Sequence, residues 1–204
     1  MKIISLDKKN REEVLKEVLK VLKTGGIAVI PTDTVYGFVA DAANSEGVEK
    51  IYKIKKRPPE KLFPIFVDSI PMAKTLVSIS DRQGAFLLEV WPGKVTCVLE
   101  SVISGTLGLR MPDDDFILEL LQKFGHPLSQ TSANISGRMP HAKISELIQE
   151  FENFELRPDL IVDGGDIGDH PPSTVVDLTK EDPIILREGA VSGSIIKKLW
   201  EELQ

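Results

Sequence analysis

The sequence predicts an α/β fold: a mixed parallel and antiparallel sheet flanked by helices. Three observations predict it. Short, wholly apolar runs such as Ile27–Ile30 recur along the chain, as strands buried on both faces require. Segments with apolar residues at helical spacing alternate with them. In two places one strand-like run follows another with no helix between, which argues for a mixed rather than purely parallel sheet.

In chain order, Lys2–Leu6 reads as a short opening strand. Asp7 or Asn10 is placed to cap a helix through about Lys23, with Val14, Leu15, Val18, Leu19 and Leu22 on one face. Thr24-Gly25-Gly26 ends it, as glycine past a helix end does. Strand Ile27–Ile30 breaks into Pro31-Thr-Asp-Thr-Val-Tyr-Gly37. Asn44 or Ser45 starts a second helix carrying Val48, Ile51, Tyr52 and Ile54, and Pro58-Pro59 must end it. Leu62–Val67 is the next buried strand. Ser80-Asp-Arg-Gln83 has the form of a capping box, opening a helix with Phe86, Leu87 and Val90 inward. Trp91-Pro-Gly93 turns the chain into strand Lys94–Leu99, and Leu107–Met111 is a further strand before a helix over Phe116–Phe124. Pro127–Gln130 leads into Thr131-Ser-Ala-Asn-Ile-Ser-Gly137, followed by a helix around Ile144–Phe151. Leu160–Val162, Ser173–Leu178 and Ile184–Arg187 are late strands, and Ser192 caps a last helix with Ile195, Ile196, Leu199 and Trp200 packing back.

The 204 residues suit one domain spanning 1–204, since no repeat, low-complexity tract or linker divides them. The Gly/Asp/Pro-rich piece Asp163–Pro172 reads as a loop because strands resume at once. A net charge of -6 argues against a surface that binds nucleic acid all over, so any such contact is local. The single cysteine, Cys97, lies in an apolar run, which excludes an intrachain disulfide and a cysteine-built metal cluster and suggests a buried structural residue. No run approaches the ~20 apolar residues of a membrane span, and no apolar signal segment opens the chain, so a cytoplasmic protein without membrane contact is expected.

The chemistry concentrates around residues 51–67, where Lys53, Lys55, Lys56, Arg57 and Lys61 fall between a helix and an apolar strand. Such a cluster suits a phosphate or carboxylate ligand, although cations at a helix C-terminus also complement its dipole. No glycine-rich phosphate loop is present, nor the zinc-peptidase or serine-hydrolase signatures. A bound nucleotide must therefore be held by cationic side chains and loop hydroxyls. Thr32, Asp33, Thr34 and Tyr36 follow a buried strand, where ligands gather in open α/β sheets. Ser132 and Asn134 occupy a similar place and offer uncharged donors and acceptors. Arg110 and Arg187 each end an apolar run and must face solvent or an anion. His141 lies close enough to the Ser/Asn loop to face a ligand, whereas His126 and His170 read as turn residues. Asp163, Asp166 and Asp169, spaced by glycines, suggest a calcium loop but lack the closing Glu of an EF-hand, and no dedicated metal site is expected.

Seven motifs in order complete the pattern: Pro31-Thr-Asp-Thr-Val-Tyr-Gly37, Lys55-Lys-Arg57-Pro with Lys61, Trp91-Pro-Gly93, Gly108-Leu-Arg-Met-Pro112, Thr131-Ser-Ala-Asn-Ile-Ser-Gly137, Ser173-Thr-Val-Val-Asp177 and Leu186-Arg-Glu-Gly189. With them the chain, from about Gly25 to Arg187, resembles the YrdC-like family of L-threonylcarbamoyladenylate synthases in its short single-domain form. The resemblance implies a twisted mixed sheet with a basic central cavity. It implies a nucleotidyl transfer in which L-threonine, bicarbonate and ATP give threonylcarbamoyl-AMP, pyrophosphate and water, with Mg2+ accompanying ATP. The product would feed a tRNA-modifying transferase complex. The family's K-x-R falls on Lys55 and Arg57 and its S-x-N on Ser132 and Asn134, the implied catalytic group. Arg57, Lys61, Thr106, Ser132 and Arg187 would contact ATP, and Thr34, Arg110 and Ser173 would hold threonine, with Arg110 on its carboxylate. The chain departs from many relatives in having Phe66 and Asp114 where they carry histidine, and Lys61-Leu-Phe63 where they have Lys-Pro-Leu. The alternatives are a non-catalytic module binding RNA through the basic face at 50–61, a face that could make weak RNA contact in the enzyme too, and a paralogue that carbamoylates another substrate.

Overall fold

A computed structural model describes residues 1–168 and 170–203. The strands β1 (Lys2–Ser5), β2 (Ala28–Ile30), β3 (Gly37–Asp41), β4 (Ile65–Phe66), β5 (Val95–Glu100), β6 (Thr106–Arg110), β7 (Leu128–Ser132), β8 (Leu160–Asp163), β9 (Thr174–Asp177) and β10 (Ile184–Arg187) form one sheet. Their order across it is β1-β8-β2-β3-β7-β4-β6-β5-β9-β10. β1 and β2 run parallel to β8, β4 to β6, and β5 to β9, while the other neighbours are antiparallel, so the sheet is mixed as expected.

Alternation along the strands divides the interior into three cores. On one face Ala28 and Ile30 of β2 and Leu160 and Val162 of β8 meet helices α1 (Arg11–Lys23) and α5 (Asp115–Phe124). On the opposite face Val29 and Ile161 meet α2 (Ser45–Lys55) and α6 (Ile144–Glu152). In the other half, Val95, Cys97 and Leu99 of β5, Leu109 of β6 and Val176 of β9 pack beneath α4 (Asp81–Val90) and α7 (Gly193–Glu201). Cys97 is buried there, where desolvation pushes its thiol pKa far up.

Several expectations are corrected. Phe38, Val39 and Ala40 form a strand, β3, that pairs back onto β2, and α3 (Ile70–Lys74) is a short helix capped by Ser69; neither was expected. Leu62–Val67 supplies only the two-residue β4; the carbonyls of Lys61 and Leu62 accept from the Arg57 guanidinium rather than from a neighbouring strand. The capping box at Ser80 and Gln83 is present. Asn10 stands at the start of α1 but does not cap it with its side chain, which instead accepts from the Asp7 amide and donates to the Ser5 carbonyl. Ser192 likewise turns its hydroxyl to Ser194. α2 stops before Pro58, at Lys56, which takes a left-handed conformation with φ 50°. Asp114 caps α5, accepting from the amides of Phe116 and Ile117 at 2.9 and 3.0 Å.

Candidate functional site

A cavity of about 570 Å³ lies on the sheet face left over by this division. On β5, β6 and β9 one set of alternate residues builds the second-half core; the other set, including Thr96, Val98, Gly108 and Val175, faces the cavity. Segments 34–35, 57–64 and 130–140 supply its remaining walls, with residues 172–173 and 186–187.

At one end stands Arg110, only 3% exposed. Its Nε donates to the Gly93 carbonyl at 2.8 Å, its Nη1 to Thr34 Oγ1 at 3.3 Å, and its Nη2 pairs with Asp33. Burial lowers the Arg110 pKa and Asp33 raises it, so the carboxylate is what keeps the charge tolerable inside. Phe66, beneath it, presents its ring 5.8 Å from the guanidinium carbon. Asp33 Oδ1 is buried with no hydrogen-bond partner among the described residues, so the Asp33–Arg110 arrangement leaves one lone-pair site open.

Next to it, Ser173 Oγ lies 2.9 Å from Thr96 Oγ1 and accepts from Arg187 Nη2 at 3.2 Å, while the same nitrogen donates to the Ser173 carbonyl at 2.7 Å. Arg187 and Arg57 both line the cavity. Burial, and then each other's presence in the case of Arg187, lowers their pKa values. Neither makes a salt bridge among the described residues, and Glu60 is the one carboxylate among the described lining residues. Two guanidiniums on one cavity, neither in a salt bridge among the described residues, have the chemistry to take an anion.

The third wall is the turn after β7. Ser132 Oγ donates to Asn134 Oδ1 at 2.6 Å. Beneath the turn, Lys55 Nζ donates to the Ser132 carbonyl at 2.6 Å, the Asn134 carbonyl at 2.8 Å and Asn134 Oδ1 at 3.1 Å. Three acceptors match the three donors of an ammonium. Burial, with Arg57 nearby, pushes the Lys55 pKa down to about 7, against Glu150 and the three oxygens, which favour the charged form.

The structure therefore brings Thr34, Arg57, Thr106, Arg110, Ser132, Asn134, Ser173 and Arg187 to one cavity. Two anticipated residues stand apart from it. Lys55, 2% exposed, is packed behind the turn and acts on the cavity through Ser132 and Asn134. The Lys61 side chain is exposed and does not line the cavity; its carbonyl accepts from Arg57 Nε at 2.9 Å. Of the wider basic face, Lys50 pairs with Asp159 and Lys53 with Glu49, both at 2.8 Å. Arg138, Gln130 and Thr96 also line the cavity and had no sequence signal beyond proximity to a motif. His141 bonds Glu150 rather than the cavity. Asp163 and Asp166 accept from the Gly165 and Ile144 amides, and Asp169 lies outside the described residues.

A family model named Sua5_yciO_yrdC, described as "Telomere recombination", matches residues 20–189. The chain is 29% identical to the threonylcarbamoyl-AMP synthase of Pyrococcus abyssi over 99% of its own length and 62% of the relative's. It is 30% identical to the putative threonylcarbamoyl-AMP synthase of Methanocaldococcus jannaschii, covering 94% of this chain and 93% of the relative. The crystal structure of P. abyssi Sua5 complexed with L-threonine superposes with a TM-score of 0.88 at 28% identity, over 98% of this chain and 61% of that one. The chain spans between 54% and 63% of the length of the first curated relatives it matches.

Proposed function

The chain belongs to the Sua5/YciO/YrdC family, and on that premise we propose that it is a threonylcarbamoyl-AMP synthase, a nucleotidyltransferase joining L-threonine, bicarbonate and ATP. The observation that carries this reading is one cavity holding both an anion site without a carboxylate, Arg57 with Arg187, and a group suited to an amino acid, Thr34, Arg110 and Ser173. The P. abyssi Sua5 structure complexed with L-threonine supports placing an amino acid in this fold.

The chemistry follows from those groups. Bicarbonate takes up a proton and loses water to give CO2, and threonine's neutral amine adds to that carbon and releases a proton, giving an N-carboxy anion. An oxygen of that anion attacks the α-phosphorus of ATP as the bond to pyrophosphate breaks. Arg110 would pair the threonine carboxylate through the N–H bonds it has left after Gly93, Thr34 and Asp33. Ser173 and Thr34 would hold the polar groups of the same substrate. Arg57 and Arg187 would spread the charge of the triphosphate and of the leaving pyrophosphate. Ser132 and Asn134 would position the nucleotide, with Lys55 fixing them from behind. A lining with Glu60 as its one described carboxylate suits Mg2+ held mainly by the substrate, where it would offset part of the triphosphate's charge. The product would pass to a tRNA-modifying transferase complex. No helix among the described residues is long and apolar enough to cross a membrane.

The test is pyrophosphate release from ATP with Mg2+ and bicarbonate, with and without L-threonine. Release that requires both threonine and bicarbonate is expected. A protein that binds ATP yet releases no pyrophosphate, or does so with serine as well as with threonine, overturns the substrate assignment.

A further inference from the structure

We propose that Arg138 is a further polyphosphate-binding cation, stored on Glu150 until the nucleotide enters; this rests on the ATP-binding reading above. Arg138 follows the Ser132–Asn134 turn and lines the cavity. Its backbone is fixed, with its amide donating to the Ile135 carbonyl at 3.0 Å and its carbonyl accepting from Asn134 Nδ2. Its guanidinium is not. The side chain is 70% exposed and Nη1 reaches Glu150 Oε1 at 3.2 Å.

An ion pair with one partner so exposed is weak and easily exchanged. A polyphosphate offers the same guanidinium several oxygens in bidentate geometry and more charge. Glu150 is not stranded by the exchange. Its side chain is 10% exposed, and its other oxygen, Oε2, stays 2.9 Å from His141 Nε2. His141 in turn has Nδ1 3.7 Å from Glu146. Glu150 is thus a seat fixed from behind, and Arg138 a side chain free to leave it.

A static tie and a stored cation predict opposite signs for the loss of Glu150's charge. ATP binding is measured by calorimetry with Mg2+ and no threonine, for the unsubstituted protein, Arg138→Ala, Arg138→Lys, Glu150→Gln and the Arg138→Ala/Glu150→Gln double variant. Arg138→Ala weakens ATP binding about tenfold, the worth of one charged hydrogen bond, and Arg138→Lys by less. Glu150→Gln tightens it about threefold, by releasing a guanidinium from a surface pair, and that gain vanishes in the double variant. Glu150→Gln binding no tighter than the unsubstituted protein overturns the proposal, because the pair is then structural. A gain that persists without Arg138 overturns it too, because Glu150's charge then acts on the ligand directly. An unsubstituted protein that binds no ATP overturns the parent reading, and this one with it.

Discussion

Lys55→Met isolates what a buried ammonium does for a cavity it does not enter. Methionine keeps the length and flexibility of the side chain and removes its three donors. Asn134 Oδ1 would keep Ser132 Oγ, and the Ser132 carbonyl would keep the Asn134 amide at 3.0 Å. The Asn134 carbonyl would lose its ammonium donor inside the fold, at a cost of about 1–3 kcal/mol, and two charged bonds go with it. Removing a desolvated charge offsets part of that loss. The net expectation is about 2 kcal/mol of destabilisation, or a fall of roughly 6 °C in melting temperature for a chain of this size. The activity effect is larger. Ser132 and Asn134 lose their shared anchor, and a misplacement of about 1 Å costs on the order of a hundredfold in rate. Urea unfolding and threonine-dependent pyrophosphate release, both at a temperature where the variant is folded, separate the two effects. A variant that is destabilised as expected but releases pyrophosphate at the original rate would refute the positioning argument.

The same lysine sets a pH dependence. With its pKa lowered to about 7 in the fold and near 10.4 in the unfolded chain, the unfolded state holds more protons between those values. Stability should therefore rise with pH across that window relative to Lys55→Met, by at most about 1.4 kcal/mol per unit; a difference that stays flat across denaturation curves from pH 7 to 10 counts against it. Asp33→Asn leaves the Arg110 charge buried without its counter-ion, a loss of about 3–5 kcal/mol, visible as a melting temperature lowered by roughly 10 °C, with no such drop if the pair is dispensable. Gly108→Val adds a side chain where a Cβ would sit at ordinary distances from Thr96, at 3.5 Å, and Val98, at 3.9 Å. The melting temperature should hold while ATP or threonine binding falls at least tenfold, since the new methyl groups point into the cavity; unaltered binding would place the ligands elsewhere.

Much of the architecture was legible because both periodicities are clean. Ile184–Arg187 emerged at its true bounds, and the capping box at Ser80 located α4. Phe38-Val-Ala escaped notice because three apolar residues after a turn-like motif carry too little alternation to mark a strand. Leu62–Val67 misled in the other direction: its apolarity serves the packing of Phe63 on Tyr52, with ring centroids 4.0 Å apart, as much as a ladder. In the site, strand-end arginines and hydroxyls were readable from position alone. Lys55 was placed among them by its motif, yet its spacing from Ile51 and Ile54 already put it on the buried side of α2. Arg138 had no comparable mark, because its place in the cavity depends on a loop geometry that follows from Asn134 holding its carbonyl.

The cavity's walls run from Thr34 to Arg187 and include β5, β6 and β7 together with β9, which comes from much later in the chain. No stretch of consecutive elements contains it, and β9 must dock on β5 before Ser173 can meet Thr96. On the proposed function, nucleotide affinity would require the finished sheet, since the lining residues meet only when β9 is docked. Ligand should protect the amides of β3, β6 and β9 from hydrogen exchange together, by the same mass-action increment, so that occupancy is felt in strands whose side chains belong to different hydrophobic cores.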